Sequence, residues 1–174
     1  MSIKLTFIYY QKNNLFFIDI ISKKWYHIVK KGRIIMKYFI ASDIHGSAYY
    51  CQKLTEAYKK EKADKMILLG DILYHGPRND LPKDYNPKSV IKMLNAIKDD
   101  ILCVRGNCDA EVDQMVLEFP ILADYAIISE GSKSIYITHG HIYNETSLPP
   151  IKNGDVLLHG HTHVAGCTKH EGFV

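Results

Sequence analysis

From residue 36 onward, short apolar runs alternate with stretches in which apolar residues recur every three or four positions. The short runs are typical of buried strands, and the periodic stretches are typical of amphipathic helices. The pattern predicts strands at 38–41, 66–69, 101–104, 127–128, 135–138 and 156–158 and helices at 47–62 and 88–98. Because strands and helices alternate over the first part of this region, the pattern favours an α/β fold.

Residues 1–35 differ from the rest of the chain. They are rich in Ile, Phe, Tyr and Lys, show neither clean alternation nor a helical period, and carry a net charge of +6. We expect an N-terminal extension at 1–35 and the folded domain at 36–174. Our hypothesis is that translation naturally starts at Met36. The rival interpretation is a basic segment that binds a membrane surface or a partner.

Composition and charge narrow the class of protein. Apolar residues make up 47% of the chain and charged residues 24%, as in globular proteins. The total charge of +3 leaves −3 for residues 36–174, which does not favour binding of nucleic acid. No apolar run is long enough to span a bilayer, no signal peptide is evident, and the four cysteines form no CxxC pair. We therefore expect a cytoplasmic protein without membrane contact.

A polar cluster follows five of the predicted strands. The clusters are Asp43-Ile44-His45, Gly70-Asp71, Gly106-Asn107-Cys108-Asp109, His139-Gly140-His141 and Gly160-His161-Thr162-His163. In an open α/β sheet, the carboxyl ends of the strands line one crevice, and ligands bind there. We therefore expect these carboxylates, the amide and the imidazoles to lie close together.

The residue types in the clusters indicate a metal site. Asp, Asn and His without paired Cys are oxygen and nitrogen ligands for a divalent metal ion. Seven candidates are too many for one ion: Asp43, His45, Asp71, Asn107, His139, His161 and His163. Two ions that share one carboxylate would accommodate them, and such a pair can clamp the attacking and leaving oxygens of a phosphoryl group.

The order and spacing of the clusters resemble the signature of the calcineurin-like metallophosphoesterases. A finer similarity is to the YfcE-type bacterial phosphodiesterases. It rests on Ser42-Asp43-Ile44-His45-Gly46, Gly70-Asp71, His75-Gly76-Pro77-Arg78-Asn79, Arg105-Gly106-Asn107-Cys108-Asp109 and Glu111-Val112-Asp113-Gln114-Met115. Five blocks in matching order are a much stronger signal than any single block.

The resemblance implies a four-layer αββα sandwich with the metal ions at the sheet edges. It assigns Asp43, His45, Asp71 and His163 to the first ion and Asp71, Asn107, His139 and His161 to the second, so that Asp71 bridges. It also implies Mn²⁺, although such ligands suit Fe²⁺, Zn²⁺ or Ni²⁺ as well. A hydroxide between the ions would attack phosphorus in line. Relatives continue with further strands, so we expect this chain to lack the C-terminal strands.

The charge of such a centre favours a small phosphodiester as substrate. Two divalent ions, the Asp43 and Asp71 carboxylates and one hydroxide sum to about +1. A monoanionic diester would neutralise this charge, whereas a dianionic monoester would need a further cation. Arg78 is a candidate for that cation, so the charge argument gives a tendency towards diesters only.

Six residues are candidates for catalysis or substrate binding. Asn107, Asp109 and His141 are the catalytic candidates, and His75, Arg78 and Cys108 are the substrate-binding candidates. All of them except Asn107 have an alternative role. His141 can be solvated or orient a ligand, His75 and Arg78 can stabilise a turn, and Cys108 can be a spacer where relatives keep His. Asp109 can orient a neighbour or cap a helix at 110–117.

Two other functions compete with a metal-dependent phosphodiesterase. The first is a catalytically weak scaffold or a defective fragment on the same fold, which the expected loss of C-terminal strands favours. The second is a nuclease of the same superfamily, which the net charge of −3 on residues 36–174 disfavours. The complete set of seven ligands favours the enzyme. A homo-oligomer is compatible with any of these functions.

Overall fold

The structure is a computed structural model that describes residues 3–11, 14–20, 36–164 and 166–174. Its elements in chain order are β1 (Ile3–Gln11), β2 (Asn14–Ile20), β3 (Met36–Ala41), α1 (Ala48–Glu61), β4 (Lys65–Leu68), α2 (Pro87–Asn95), β5 (Ile101–Cys103), α3 (Glu111–Gln114), β6 (Tyr125–Glu130), β7 (Lys133–Thr138) and β8 (Val156–Leu158). All six predicted strands are present, and β8 has the predicted bounds.

The strands form two sheets. The first has the order β2-β1-β3-β4-β5, in which β1, β3, β4 and β5 are parallel and β2 is antiparallel to β1. The second has the order β6-β7-β8, with β6 antiparallel and β8 parallel to β7. Parallel strands joined through helices confirm the predicted α/β class.

Two hydrophobic cores hold the layers together. One core lies between the first sheet and the helices, and it includes Phe39, Leu54 and Leu94. The other lies between the two sheets, where Ile40 and Ile137 are fully buried. Successive residues from Tyr38 to Ala41 thus face opposite cores, which explains why this part of β3 is apolar throughout. Helices, first sheet and second sheet form three successive layers, which correspond to the first α layer and the two β layers of the predicted four-layer αββα sandwich.

The helices begin and end near the predicted bounds, with one exception. The Ser47 side chain accepts the Tyr50 N–H at the start of α1, and Asn86 accepts the Ser89 N–H at the start of α2. The helix predicted at 110–117 is wrong in extent, because α3 ends at Gln114. Asp109 does not cap it. The Asp113 side chain instead accepts the Ala110 N–H.

Part of the N-terminal extension lies outside the described residues, which omit 1, 2, 12, 13 and 21–35. The described part forms β1 and β2, although its sequence pattern did not predict strands. The β1 strand pairs with β3 over six residue pairs. The domain boundary at residue 36 and the hypothesis of a start at Met36 stay predictions. Among the described helices, none has the length and apolar character needed to cross a bilayer.

Candidate metal centre

The loops that follow β3 and β4 are joined by backbone hydrogen bonds. The Asp43 N–H donates to the Gly70 carbonyl at 3.1 Å, and the His45 N–H donates to the Asp71 carbonyl at 2.9 Å. The His161 N–H donates to Asp43 Oδ2 at 3.1 Å, which brings in the loop after β8. Three of the predicted clusters therefore meet at one edge of the sheets.

Backbone strain is concentrated in these loops. Among the described residues, seven other than glycine have positive φ angles. Five of the seven are predicted metal ligands: Asp43 (57°), His45 (48°), Asp71 (56°), His161 (69°) and His163 (55°). The left-handed region disfavours residues with a Cβ atom, and such strain persists where the surrounding structure imposes it, often at functional sites. The strain therefore marks these loops as a site rather than as ordinary turns.

Two glycines allow the loops to come this close. A Cβ atom at Gly106 would overlap with the Asp71 carboxylate, and one at Gly160 would overlap with the Ser42 side chain. The same Cβ at Gly160 would lie only 2.8 Å from Asp43 Oδ2. Any larger residue at either position would push a carboxylate out of place.

Hydrogen bonds fix the orientation of two histidine rings. His45 Nδ1 lies 2.7 Å from the Tyr74 carbonyl oxygen, and His139 Nδ1 lies 2.7 Å from the Leu69 carbonyl oxygen. A carbonyl oxygen only accepts, so each Nδ1 carries the proton and donates it. In the neutral ring the Nε2 atom then presents a lone pair, which is how a metal-binding histidine is held.

These Nε2 atoms face other potential metal ligands, which include His163 Nε2 at 3.3 Å from His45 Nε2 and two carboxylates. Asp71 Oδ2 lies 3.6 Å from His45 Nε2 and 3.4 Å from His139 Nε2, so one oxygen stands between both rings. Asp43 Oδ1 lies 3.7 Å from His45 Nε2 and 3.1 Å from His163 Nε2. The Asp43 Oδ1 atom is buried and has no hydrogen-bond donor. Lone pairs that face one another in a buried site require a cation.

The spacing fits divalent metal ions. Two ligands that bind one ion at about 2.0–2.2 Å are separated by roughly 3.0–3.5 Å. The separations above and the 3.0 Å between His139 Nε2 and Asn107 Oδ1 fall in or close to this range. Three groups of potential ligands lie together: Asp43 with His45 and His163, His45 with Asp71 and Cys108, and Asp43 with Asp71 and His139.

His161 is held less closely than the other predicted ligands. Its ring centroid lies 5.0 Å from that of His139, and its side chain is exposed. The structure therefore brings six of the seven predicted ligands together through distances between ligand atoms. It places the seventh beside them.

Comparison with known proteins agrees with this geometry. Residues 36–174 match the model of the calcineurin-like phosphoesterase superfamily domain. The chain belongs to this superfamily. It is 43% identical over 130 residues to the phosphodiesterase YfcE of Escherichia coli K12, covering 75% of this chain and 71% of YfcE. The solved structure of YfcE, described as a phosphoesterase from E. coli, matches with a TM-score of 0.77 and 40% identity. That match covers 78% of this chain and 75% of the YfcE chain.

Electrostatics in this phosphoesterase site follow from burial and from opposite charges. Burial alone would lower the pKa of His45 and His139, but Asp43 raises the first and Asp71 the second, so that both lie above the ordinary histidine value. Burial would raise the pKa of Asp71, but contact with His139 holds it below its ordinary value. Burial lowers the pKa of His163. Without a metal ion, protons on His45 and His139 would be the cations that the carboxylates attract.

Asp109 lies beneath the site rather than in it. Its buried carboxylate accepts hydrogen bonds from the N–H groups of Asp71, Ile72 and Gly106 at 2.7–2.8 Å. These contacts connect the cluster at Gly70-Asp71 to the cluster at Gly106-Asn107-Cys108-Asp109. The geometry therefore favours the role of orienting a neighbour over direct contact with a substrate.

Of the remaining candidate residues, His141 and Cys108 contact predicted metal ligands, whereas His75 and Arg78 lie on the loop after Tyr74. The His141 ring lies 5.3 Å from the His139 ring, and its Nδ1 atom is buried without a partner. Cys108 belongs to one of the potential ligand groups, and its N–H donates to Asp71 Oδ1 at 2.7 Å. Half-buried His75 packs between two tyrosine rings, and Arg78 is exposed on the same loop.

Sequence reasoning missed the backbone partners of the site. The carbonyl groups of Leu69 and Tyr74 orient His139 and His45, but a carbonyl carries no residue-specific signal. Buried Ser42 has an unpartnered hydroxyl beside Gly160 and also escaped prediction. Its place in the block Ser42-Asp43-Ile44-His45-Gly46, directly before Asp43, was the signal available.

Proposed function

We propose that this chain hydrolyses small phosphodiesters at a centre of two divalent metal ions that share Asp71. The observation that carries the proposal is the position of Asp71 Oδ2, which faces His45 on one side and His139 on the other. Asp43 and His163 complete the first set of ligands, and Asn107 and His161 complete the second. Two sets that meet at one oxygen are the arrangement a bridging carboxylate requires.

The residues of the site have separate tasks in this proposal. Bound ions would polarise the phosphoryl group and lower the pKa of water so that hydroxide attacks phosphorus near neutral pH. The Tyr74 and Leu69 carbonyls keep the imidazole lone pairs aimed at the ions, and Asp109 keeps Asp71 against the third cluster. His141 lies beside His139 with an unpartnered nitrogen, which suits contact with a phosphoryl oxygen or a leaving group.

The proposed metal is Mn²⁺. Imidazole, carboxylate and amide ligands suit Mn²⁺, and they also suit Fe²⁺, Zn²⁺ and Ni²⁺. The proposed substrate class is the diester, because a monoanion would neutralise the charge of the loaded centre. The name phosphodiesterase of the E. coli relative agrees with that class.

The direct test is hydrolysis of bis(p-nitrophenyl) phosphate with Mn²⁺. We expect release of p-nitrophenol by the wild type and none after treatment with a chelator. For a change of Asp71 to Asn, the matched control is Asp84→Asn, because Asp84 is exposed and, like Asp71, has a positive φ angle. Loss of activity in this control would show that the assay reports general damage, and an inactive wild type would contradict the proposal.

Metal removal is expected to destabilise the protein. A chelator should lower the Tm, and Mn²⁺ should restore it, because metal ions bind the assembled site and not the unfolded chain. Free Mn²⁺ at about 100 times Kd adds roughly 2.7 kcal/mol to the free energy of unfolding. Thermal unfolding followed by circular dichroism measures the shift. A Tm indifferent to both reagents would favour the catalytically weak scaffold.

Replacing Cys108 by His is expected to change the dependence on the leaving group. Burial, together with Asp71, raises the pKa of Cys108 to about 12, so its weakly donating S–H is a poor acid for a leaving alkoxide. A histidine there would supply general acid catalysis, which contributes about 10²–10⁴-fold. In Cys108→His, kcat/KM for alkyl esters should therefore rise relative to aryl esters. An unchanged ratio would assign the acid to another group, such as His75 or His141.

A further inference from the structure

Tyr74 joins the metal centre to the protein surface. Its carbonyl oxygen holds the ring of His45, so its backbone lies directly beside a predicted metal ligand. Its side chain is 42% exposed, although the neighbouring Leu73 is buried. An exposed aromatic ring on a residue whose backbone contacts a reactive site is well suited to contact a ligand.

Neighbouring aromatic rings hold the Tyr74 ring in place. The rings of Tyr74 and His75 meet at 4.9 Å and 70°, and those of His75 and Tyr85 meet at 5.3 Å and 75°. Tyr85 packs against Gly46, where an added Cβ atom would overlap with the Tyr85 ring. The three rings therefore form an edge-to-face row, which we call the aromatic row. A ring held in this way loses little entropy when a ligand stacks on it.

The loop that contains Tyr74 continues towards Cys108 and Asp71. A Cβ atom at Gly76 would lie 3.3 Å from Cys108 Sγ. The Cys108 N–H in turn donates to Asp71 Oδ1 at 2.7 Å. Residues 74–76 thus run from the carbonyl that holds His45 to the residue that contacts Asp71. A substituent on a phosphate bound between His45 and Asp71 would lie along residues 74–76.

We propose that Tyr74 is a specificity-determining residue on which a planar aromatic substituent of the diester stacks. The proposal rests on the function proposed above and adds the class of substrate to it. Stacking tolerates any planar group, so both a nucleobase and a simple aryl group are candidates. Stacking on one side chain contributes enough to change kcat/KM by roughly 5- to 100-fold.

The experiment compares three p-nitrophenyl diesters that share one leaving group and one charge. Their second substituents are methyl, phenyl and the 5′-carbon of thymidine. We expect wild-type kcat/KM for the phenyl or thymidine ester to exceed that for the methyl ester, mainly through a lower KM. In Tyr74→Ala this selectivity ratio should fall at least about 5-fold, whereas Tyr74→Phe should retain it. The ratio cancels any loss that affects all three esters.

A second variant tests an exposed tyrosine next to another strand of the site. Tyr125 is also exposed, and it pairs with Thr138, the residue before His139. A fall in the ratio in Tyr125→Ala but not in Tyr74→Ala would overturn the proposal, as would a wild-type ratio near one. If no ester is hydrolysed, the proposed function itself fails. If only the methyl ester is hydrolysed well, the stacking proposal alone fails.

Inhibition of the wild type provides a test that needs no variant. Thymidine 5′-monophosphate and phenyl phosphate should each inhibit hydrolysis of the methyl ester more strongly than methyl phosphate does. The two aromatic inhibitors distinguish a nucleobase from a simple aryl group. Equal inhibition by all three would overturn the proposal even if Tyr74→Ala failed to fold.

Discussion

Replacing Asp71 by Asn is expected to lower kcat/KM for a phosphodiester by more than about 100-fold, since changing a group that only orients a metal ligand already costs roughly 10- to 100-fold. Asp71 Oδ2 faces both His45 and His139, so the loss of its charge weakens both proposed ion sites. Asn tolerates the positive φ of 56° at this position, so the loop should keep its backbone conformation. Steady-state kinetics with saturating Mn²⁺ measure the effect.

The comparison that tests the bridging role is His163→Ala. His163 contacts Asp43 on one side of the centre only, at 3.1 Å. Asp71→Asn should therefore be the more damaging change, and Asp84→Asn should leave kcat/KM close to that of the wild type. A larger loss in His163→Ala than in Asp71→Asn would contradict the assignment of Asp71 as the shared ligand.

Replacing Asp109 by Asn is expected to lower both the Tm and the activity. The buried carboxylate accepts three backbone N–H groups, and an amide offers one oxygen and turns an NH₂ group towards a donor. Hydrogen bonds to a charged group contribute about 1.5–3 kcal/mol each, so we expect a loss of about 3 kcal/mol. For a chain of this length that corresponds to a fall in Tm of roughly 6–12 °C.

The matched control for Asp109→Asn is Asp113→Asn. The Asp113 carboxylate also accepts a backbone N–H, that of Ala110, but it lies at the start of α3 and not between two clusters of the site. We expect a smaller fall in Tm there and little change in kcat/KM. Equal effects of the two changes would show that Asp109 does not position Asp71.

Five of the six predicted strands were predictable because each is a nearly continuous apolar run that ends at a polar cluster. Strand β3 illustrates this, since the residues from Tyr38 to Ala41 alternately face two different cores and are all apolar. The extent of α3 was not predictable, because the Gln114 side chain hydrogen-bonds to the backbone of Leu117, Phe119 and Ile121, and no local sequence pattern indicates these contacts. Strands β1 and β2 were missed, because the alternation in β1 is limited to Ile3–Phe7 and the apolar run of β2 is interrupted by Asp19, so that residues 1–35 as a whole show no sustained pattern.

The identity of the candidate ligands was predictable, but their arrangement was not. Aspartate and histidine side chains that follow successive strands predict a shared site in any open α/β sheet. The left-handed backbone at His163 and the close contact at Gly160 arise only when distant loops meet. The same is true of the Tyr74 carbonyl that orients His45.

The number of metal ions bound per chain decides whether the centre holds two ions that share Asp71. Chelator-stripped protein would be titrated with Mn²⁺ and examined by native mass spectrometry, with hydrolysis of bis(p-nitrophenyl) phosphate followed in parallel. We expect two ions per wild-type chain, activity that rises as the second ion binds, and fewer ions in Asp71→Asn. Full activity with one ion or none, or two tightly bound ions in Asp71→Asn, would contradict a centre that is bridged by Asp71.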